Sequence, residues 1–508
     1  MTEVPLLDQH TSEVQSTVDT DSEQYRLGGR SPLKTLFALL AGPLLSQLTQ
    51  SIYGIVDSLW ISKTHGNFGL NVTSSIYLFD ELIFSCGEFM LISISSRVAF
   101  LFGKDLKNEA SQVVVDLFRF AFIFGLIIAG TLLPFVPMVT KWISGSDDVA
   151  REAFKYEIPL LGFSFIQIIF LLGTGILQGE GRSWLAGMFQ ILSLCMIMFV
   201  FDPLFLVYFK MGVWGASLAT VIAQTIVATI IFIYIFSGKF SLKFHFQLFF
   251  NKPSPHSYDA LKVGCGAFML YLSSAIPGFV MQKYITLTAA AINEVTPVLA
   301  LLDTFNRLYE LGISITYAFD ASFLPSASYA YGKRQYRRIH KLAGHTLWIS
   351  VVPSMIYSVI VSAIPKKIAS FWSYDERYLY WAQQLFPIGY LTLCTWPISS
   401  TFLTYLESTD YPLRATISSV ITSITPLPLI STIIYFSKRN NLKLLFTSYI
   451  WQNIAQVLLA IPFVLGPFLS IYKTKDGDAI QGHEAHSDSD TYNSIQSIPE
   501  PEVPHQTA

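Results

Sequence analysis

Twelve apolar stretches follow one another along this 508-residue chain, and nothing else in the sequence constrains the fold as strongly. They lie at about 34–60, 74–100, 113–139, 154–178, 184–208, 213–237, 259–288, 296–330, 343–365, 379–406, 412–436 and 445–472. Each reaches the roughly 20 residues that an α-helix needs to cross a bilayer. Inside hydrocarbon every backbone N–H and C=O must bond within the protein, so runs of this length are helices. With 52% hydrophobic and only 13% charged residues, an all-α polytopic membrane protein is the expected class.

The remaining segments are short. Residues 1–33 and 473–508 are polar and acidic and are expected to be disordered tails. Residues 1–33 are not expected to act as a signal peptide, because no apolar run follows a basic start. An even number of spans puts both tails on one side. With the tails inside, inner segments hold 17 Lys and Arg and outer loops hold 11, which makes the cytoplasm their expected side. Asn71-Val72-Thr73, a glycosylation sequon, then falls in the first outer loop. The surrounding membrane is expected to be the plasma membrane or that of a vacuole or similar organelle.

The two halves repeat. Phe102-Gly103-Lys104 aligns with Tyr331-Gly332-Lys333 at an offset of 229 residues, and Leu177 and Ala186 align with Leu406 and Ala415 in the same register. Two pseudo-symmetric six-helix bundles follow, 34–237 and 259–472. They are joined by a basic, aromatic linker at 238–258 that suits the inner leaflet surface. Duplicated bundles around a central cavity suit alternating access.

The chemistry then concentrates on two acids. Asp202 sits in FVFDPLFLVYF, where hydrocarbon should surround the helix. A carboxylate at that depth costs a few kcal/mol or more and normally faces a cavity or a partner. Pro203 disfavours helical geometry at Asp202, so the helix should be bent or loosened there. Asp57 in GIVDSLW lies similarly in the first stretch, and Gln47, Gln50, Gly54 and Asp57 draw one polar stripe along that helix. Interface end-capping is the plainer reading of either acid. The apolar residues around Asp202 argue against it there.

Several motifs resemble the multidrug and toxic compound extrusion (MATE) family. They are GPLLSQLTQSIYGIVDSLWIS, GTGILQGEGRS, FVFDPLFLVYFKMGVWGASLATVIAQ and LPSASYAYGKRQYRRIHK, in order and spaced over most of residues 34–472. The DP motif with GVWGASLATVIAQ is similar to the DinF-like branch. The resemblance implies two bundles in a V and export of organic compounds against entering H⁺ or Na⁺. It also implies an ion-coupling site at Asp57, Asp202 and Thr220. Where the branch carries an Asn one turn before the second Asp, this chain has Met198. That departure removes a neutral oxygen ligand for Na⁺ and favours proton coupling. The Glu that NorM-like members carry on the seventh helix is also missing.

Further candidates line up on single helices. Thr220 and Gln224 share a face, although a Thr in a membrane helix most often bonds its own backbone. Glu81, Ser85 and Glu88 are spaced so that Glu88 falls inside the membrane, either as a proton-carrying group or as a hydrogen-bonded core acid. Gln178 closes the fourth stretch. Asp303, Arg307 and Glu310 form a ladder on the eighth, either self-neutralising or, for Arg307, facing substrate. Lys283 and Asp320 are intramembrane charges without an assignable partner.

Other classes are excluded or weakened. A net charge of −2 argues against nucleic acid. No phosphate-cradling glycine motif appears, so nucleotide-driven transport is not expected, nor is any cofactor. Cys86, Cys195, Cys265 and Cys394 lie in apolar stretches without CxxC spacing and read as reduced thiols, not metal ligands. A membrane enzyme should cluster histidines near its spans, yet His10, His483, His486 and His505 of the nine lie in the tails. A lipid-linked oligosaccharide flippase of the same superfamily should show an Arg- and Lys-rich cavity. The expected function is therefore secondary antiport of small organic, amphipathic or cationic compounds by a monomer embedded in the bilayer. The 40 Phe and 25 Tyr suit such substrates.

Overall fold

The computed structural model of the protein describes residues 23–144, 147–237, 242, 246–438 and 441–478. The side chains of Asp57, Asn71 and Asp303 lie outside the described residues. Among the described residues the regular structure is all helical. The helices are α1 (Pro32–Gly103), α2 (Lys107–Leu132), α3 (Val136–Ser144), α4 (Asp147–Gly162), α5 (Ser164–Gly179), α6 (Ser183–Met196), α7 (Trp214–Phe236), α8 (Pro255–Ala291), α9 (Val295–Gly332), α10 (Tyr336–Ala363), α11 (Pro365–Ala369), α12 (Glu376–Tyr390), α13 (Trp396–Ser408), α14 (Pro412–Ile424), α15 (Pro426–Ser437) and α16 (Leu442–Lys473).

These elements supply twelve membrane crossings in two six-helix bundles. α1 supplies two, Pro32–Ile52 and Phe79–Gly103. A straight helix of its length would run about 108 Å, yet both of its ends meet the α9–α10 turn. The Arg338 guanidinium donates to Leu27 O and Arg30 O just before α1, and Lys333 Nζ pairs with Asp105 just after it at 2.5 Å. The chain therefore reverses within α1. α4 and α5 form one crossing bent by 45°, where Pro159 cannot donate to the helix ladder. Two crossings are too polar or broken to be recognised by hydropathy, α9 with its four charged residues and α12–α13 with its break at Leu391–Thr395.

Burial sorts the crossings. In Phe79–Gly103, 78% of the most apolar window is buried; in Lys107–Trp142 the figure is 17%. The first is central and the second faces lipid, so the most apolar helix is also the most exposed, as a lipid solvent demands.

The repeat is visible in the backbone. Asp105 and Arg334, 229 residues apart, both adopt left-handed φ, at 59° and 55°. Gly181 and Asp410 do the same, at 76° and 62°. Each pair closes the same turn in its half, with Leu106 N bonded to Leu101 O as Gln335 N is to Ala330 O. The aligned glycines Gly103 and Gly332 pack against one another. A Cβ on Gly103 would lie 2.3 Å from Tyr329 O, and one on Gly332 2.2 Å from Phe100 O. Only glycine allows the bundles to approach this closely.

Within the tail expected to be disordered through residue 33, the described part is structured: a π-helical turn, Tyr25–Gly29, docks on both halves, with Glu23 paired to Lys107, Arg26 Nε donating to Glu180 O and Arg338 donating to Leu27 O. In the linker, Phe246–Phe249 is a 3₁₀ turn held to α2 by Arg119, which donates to Phe249 O and Asn251 O.

Candidate functional site

Asp202 is fully buried, with 0% exposure. The helix loses α geometry around it, as the Asp-Pro sequence requires. α6 passes into π-helical turns at Ile197–Phe201 and Pro203–Tyr208 that flank Asp202 on both sides. A π-turn widens the helix and is common at functional positions. Ile197, Ala219 and Ala223 pack beside it, with Phe201 and Phe205. Both π-turns also touch α1, the helix that carries Asp57. Met198, at the place of the expected neutral ligand, is buried. Thr220 Oγ1 donates to Ala216 O of its own helix at 3.3 Å.

A chamber opens between the bundles. Gln47, Gln50, Glu88, Gln178 and Gln224 all line it. Ser46, beside Gln47, hydrogen-bonds to Gln190. The cavity volume is ≈ 140 Å³, against roughly 10–15 Å³ for one water, so the chamber has room for several waters beside its polar lining. Tyr271 and Tyr317 form an aromatic wall with ring centroids 5.5 Å apart, and Phe84 meets Tyr271 edge-on at 5.4 Å.

Three acids from three crossings share this chamber: Glu88 of α1, Asp320 of α9 and Glu407 of α13. Asp320, without a partner in the sequence reading, accepts hydrogen bonds from Ser400 and, at 3.4 Å, from Thr401. Glu407 is 3% exposed, and its Oε1 has no hydrogen-bond partner among the described residues. Among the described residues no Lys or Arg lines the chamber. Arg307, expected as a cavity residue, is half-buried on α9 and is not among the lining residues. Lys283 is exposed on α8. Among the described residues no three His, Cys, Asp or Glu side chains are grouped to hold a metal ion, so the acids stand apart.

Among the described residues, Glu407 and Glu157 are buried acids that escaped the sequence reading. Glu407 lies one residue beyond the tenth apolar stretch, where an acid reads as interfacial. Its signal was the repeat, because Glu407 follows the matched Leu406. Glu157 on α4 is 0% exposed, and both carboxylate oxygens lack a hydrogen-bond partner among the described residues.

Comparison with known proteins fits this geometry. The MatE family profile matches residues 44–204 and 269–432, one block in each half. No curated protein sequence matches the chain. Among solved structures, a MATE protein in complex with MaL6 superposes with a TM-score of 0.82 at 19% identity, covering 89% of this chain and 99% of that one. An outward-facing multidrug resistance MATE family transporter of the MOP superfamily gives the same TM-score, 0.82, at 19% identity with the same coverage, 89% and 99%. A MOP superfamily transporter from Pyrococcus furiosus Vc1, described as having a binding pocket of reverse polarity, gives 0.81 at 19% identity, again over 89% and 99%. At this identity the superpositions speak for the fold. The paired profile match carries the classification: this chain belongs to the MatE family and is a multi-pass membrane transporter, not an enzyme.

Proposed function

We propose that the protein exports small organic cations in exchange for protons. The observation that carries this reading is the chamber between the bundles, lined by Glu88, Asp320 and Glu407, walled by Tyr271 and Tyr317, and free of basic side chains among the described residues. Carboxylates attract a positive charge, and aromatic faces favour flat cations. A lipid-linked oligosaccharide would need basic groups for its pyrophosphate, so the same lining disfavours a flippase.

Coupling is assigned to Asp57 and Asp202 in the amino-terminal bundle. Two neighbouring carboxylates titrate as one coupled unit. Protonation from outside neutralises the pair, lets α1 and the π-turns of α6 rearrange, and releases substrate. Proton loss to the other side resets the cycle. Met198 in place of a neutral oxygen ligand supports H⁺ over Na⁺, and Thr220 has a minor part because its hydroxyl is engaged by its own helix.

Purified protein in vesicles, with pH and sodium gradients imposed separately, tests the reading. Tetraphenylphosphonium should move against a pH gradient in sodium-free buffer. Movement driven only by sodium would replace the coupling ion, and the absence of movement for a panel of organic cations would reject the substrate class.

A further inference from the structure

Below the chamber, on the side that bears both chain ends, the bundles meet through a buried arginine. Arg97, on the Phe79–Gly103 arm of α1, is 4% exposed. Its Nη2 donates to Asp259 Oδ2 at 2.8 Å and to His256 Nδ1 at 2.7 Å, both at the start of α8. Its Nη1 lies 3.5 Å from Asp410 Oδ1, in the turn between α13 and α14. Its guanidinium also covers the Phe100 ring at 4.7 Å. The arginine belongs to the first half of the chain, Asp259 and Asp410 belong to the second, and His256 lies at the end of the linker in the first turn of α8.

The contact is built, not incidental. One residue away, Ser96 Oγ lies 3.0 Å from Ser328 Oγ and donates to Glu407 O at 3.3 Å. A Cβ on Gly264 would fall 2.0 Å from Ser93 Oγ and 2.5 Å from Phe89 O, so the α8 backbone packs directly on α1 here. Gly103 and Gly332 close the same seam one turn further on. Arg97 therefore lies buried in the joint between the bundles below the chamber, with its partners Asp259 and Asp410 half-buried at the rim. Asp410 holds its turn in a left-handed conformation, φ 62°, three residues after the floor carboxylate Glu407.

We propose that Arg97 is the latch of this gate: its contacts with Asp259, Asp410 and His256 hold the two bundles shut, and they must break for the chamber to open on the side of the chain ends. Arg97 touches no substrate. It is a positioning residue, and its role rests on the alternating-access reading given above. Removing the arginine ends all three contacts at once and leaves both carboxylates without compensation, whereas removing one carboxylate leaves the arginine its other partner. Either carboxylate alone should hold the latch more weakly than both.

The test is the rate at which a membrane-impermeant maleimide labels Ser328→Cys, in the full chain with its four native cysteines replaced by serine. The reagent is added from the side of the chain ends. Ser328 is fully buried in the seam, so labelling reports opening. Arg97→Ala should raise the rate about tenfold or more, with Asp410→Asn and Arg97→Lys between it and the wild-type rate. The exchanged pair Arg97→Asp with Asp259→Arg should restore part of the closure, which a merely structural role would not do. Should Arg97→Ala fail to fold, Asp410→Asn and Asp259→Asn together carry the test. Unchanged labelling in folded variants overturns the latch. Tetraphenylphosphonium transport, measured in parallel, keeps the two readings apart: loss of transport with intact gating effects would reject the cargo and not the latch.

Discussion

Asp202 and Ser431 hold the same place in the two halves of the chain, 229 residues apart, and both are fully buried. Around Asp202 the helix opens into π-turns. Ser431 sits in the regular helix α15, where its hydroxyl donates to Pro428 O at 3.2 Å. A hydroxyl satisfies itself on its own backbone, so the second half needs no cavity or loosened turn at this point. A carboxylate cannot donate to a backbone carbonyl when ionised, and it needs a site built around it. The duplication kept the frame and divided the chemistry. The first half holds the acid proposed for coupling, and two of the three chamber acids, Asp320 and Glu407, belong to the second.

The comparison breaks most severely if the acid is moved. The double substitution Asp202→Ser with Ser431→Asp should abolish gradient-driven transport, by about 100-fold or more, while leaving the protein monodisperse in detergent. Transport at the wild-type rate would show that the halves are interchangeable. Next in size is the chamber. Glu407→Gln should weaken binding of tetraphenylphosphonium roughly tenfold, about 1.4 kcal/mol, as read by equilibrium binding, with coupling to the pH gradient retained. A matching loss from Arg307→Gln would put the cation elsewhere.

A third substitution sharpens the assignment of the ion. Met198→Asn returns a neutral oxygen beside Asp202 and should introduce stimulation by sodium of a few-fold, seen by varying Na⁺ at fixed pH. Gly103→Ala addresses the frame itself. Its methyl would meet Tyr329 O, so thermal unfolding should fall by about 1–3 kcal/mol, and Gly332→Ala should do the same by symmetry. The smallest effect is expected at Thr220→Val, within about twofold in transport rate, because the hydroxyl serves its own helix.

Much of the architecture was legible in the sequence because lipid imposes simple rules. Twelve stretches long enough to cross gave twelve crossings, and the glycines aligned by the repeat proved to be the pair that touches. The bend predicted from Asp202-Pro203 appears as the flanking π-turns. Contacts between distant segments were not legible. Arg97 lay unremarked within the second stretch, because its partners are 162 residues away at Asp259 and farther still at Asp410. Glu407 fell one residue outside a boundary drawn by hydropathy. Arg307 was expected in the cavity because an intramembrane charge usually faces one, but α9 places other residues there, Tyr317 and Asp320. The docking of Tyr25–Gly29 was hidden because its partners, Lys107, Glu180 and Arg338, lie 80 or more residues away and leave no trace in local composition.

Proton uptake that accompanies cation release, followed with a trapped pH dye in vesicles containing either wild-type protein or Asp202→Asn, is the most direct test of the coupling assignment. The account predicts that adding tetraphenylphosphonium elicits proton movement with wild-type protein and none with the variant, although the variant still binds the cation. Equal proton movement in both preparations would contradict it.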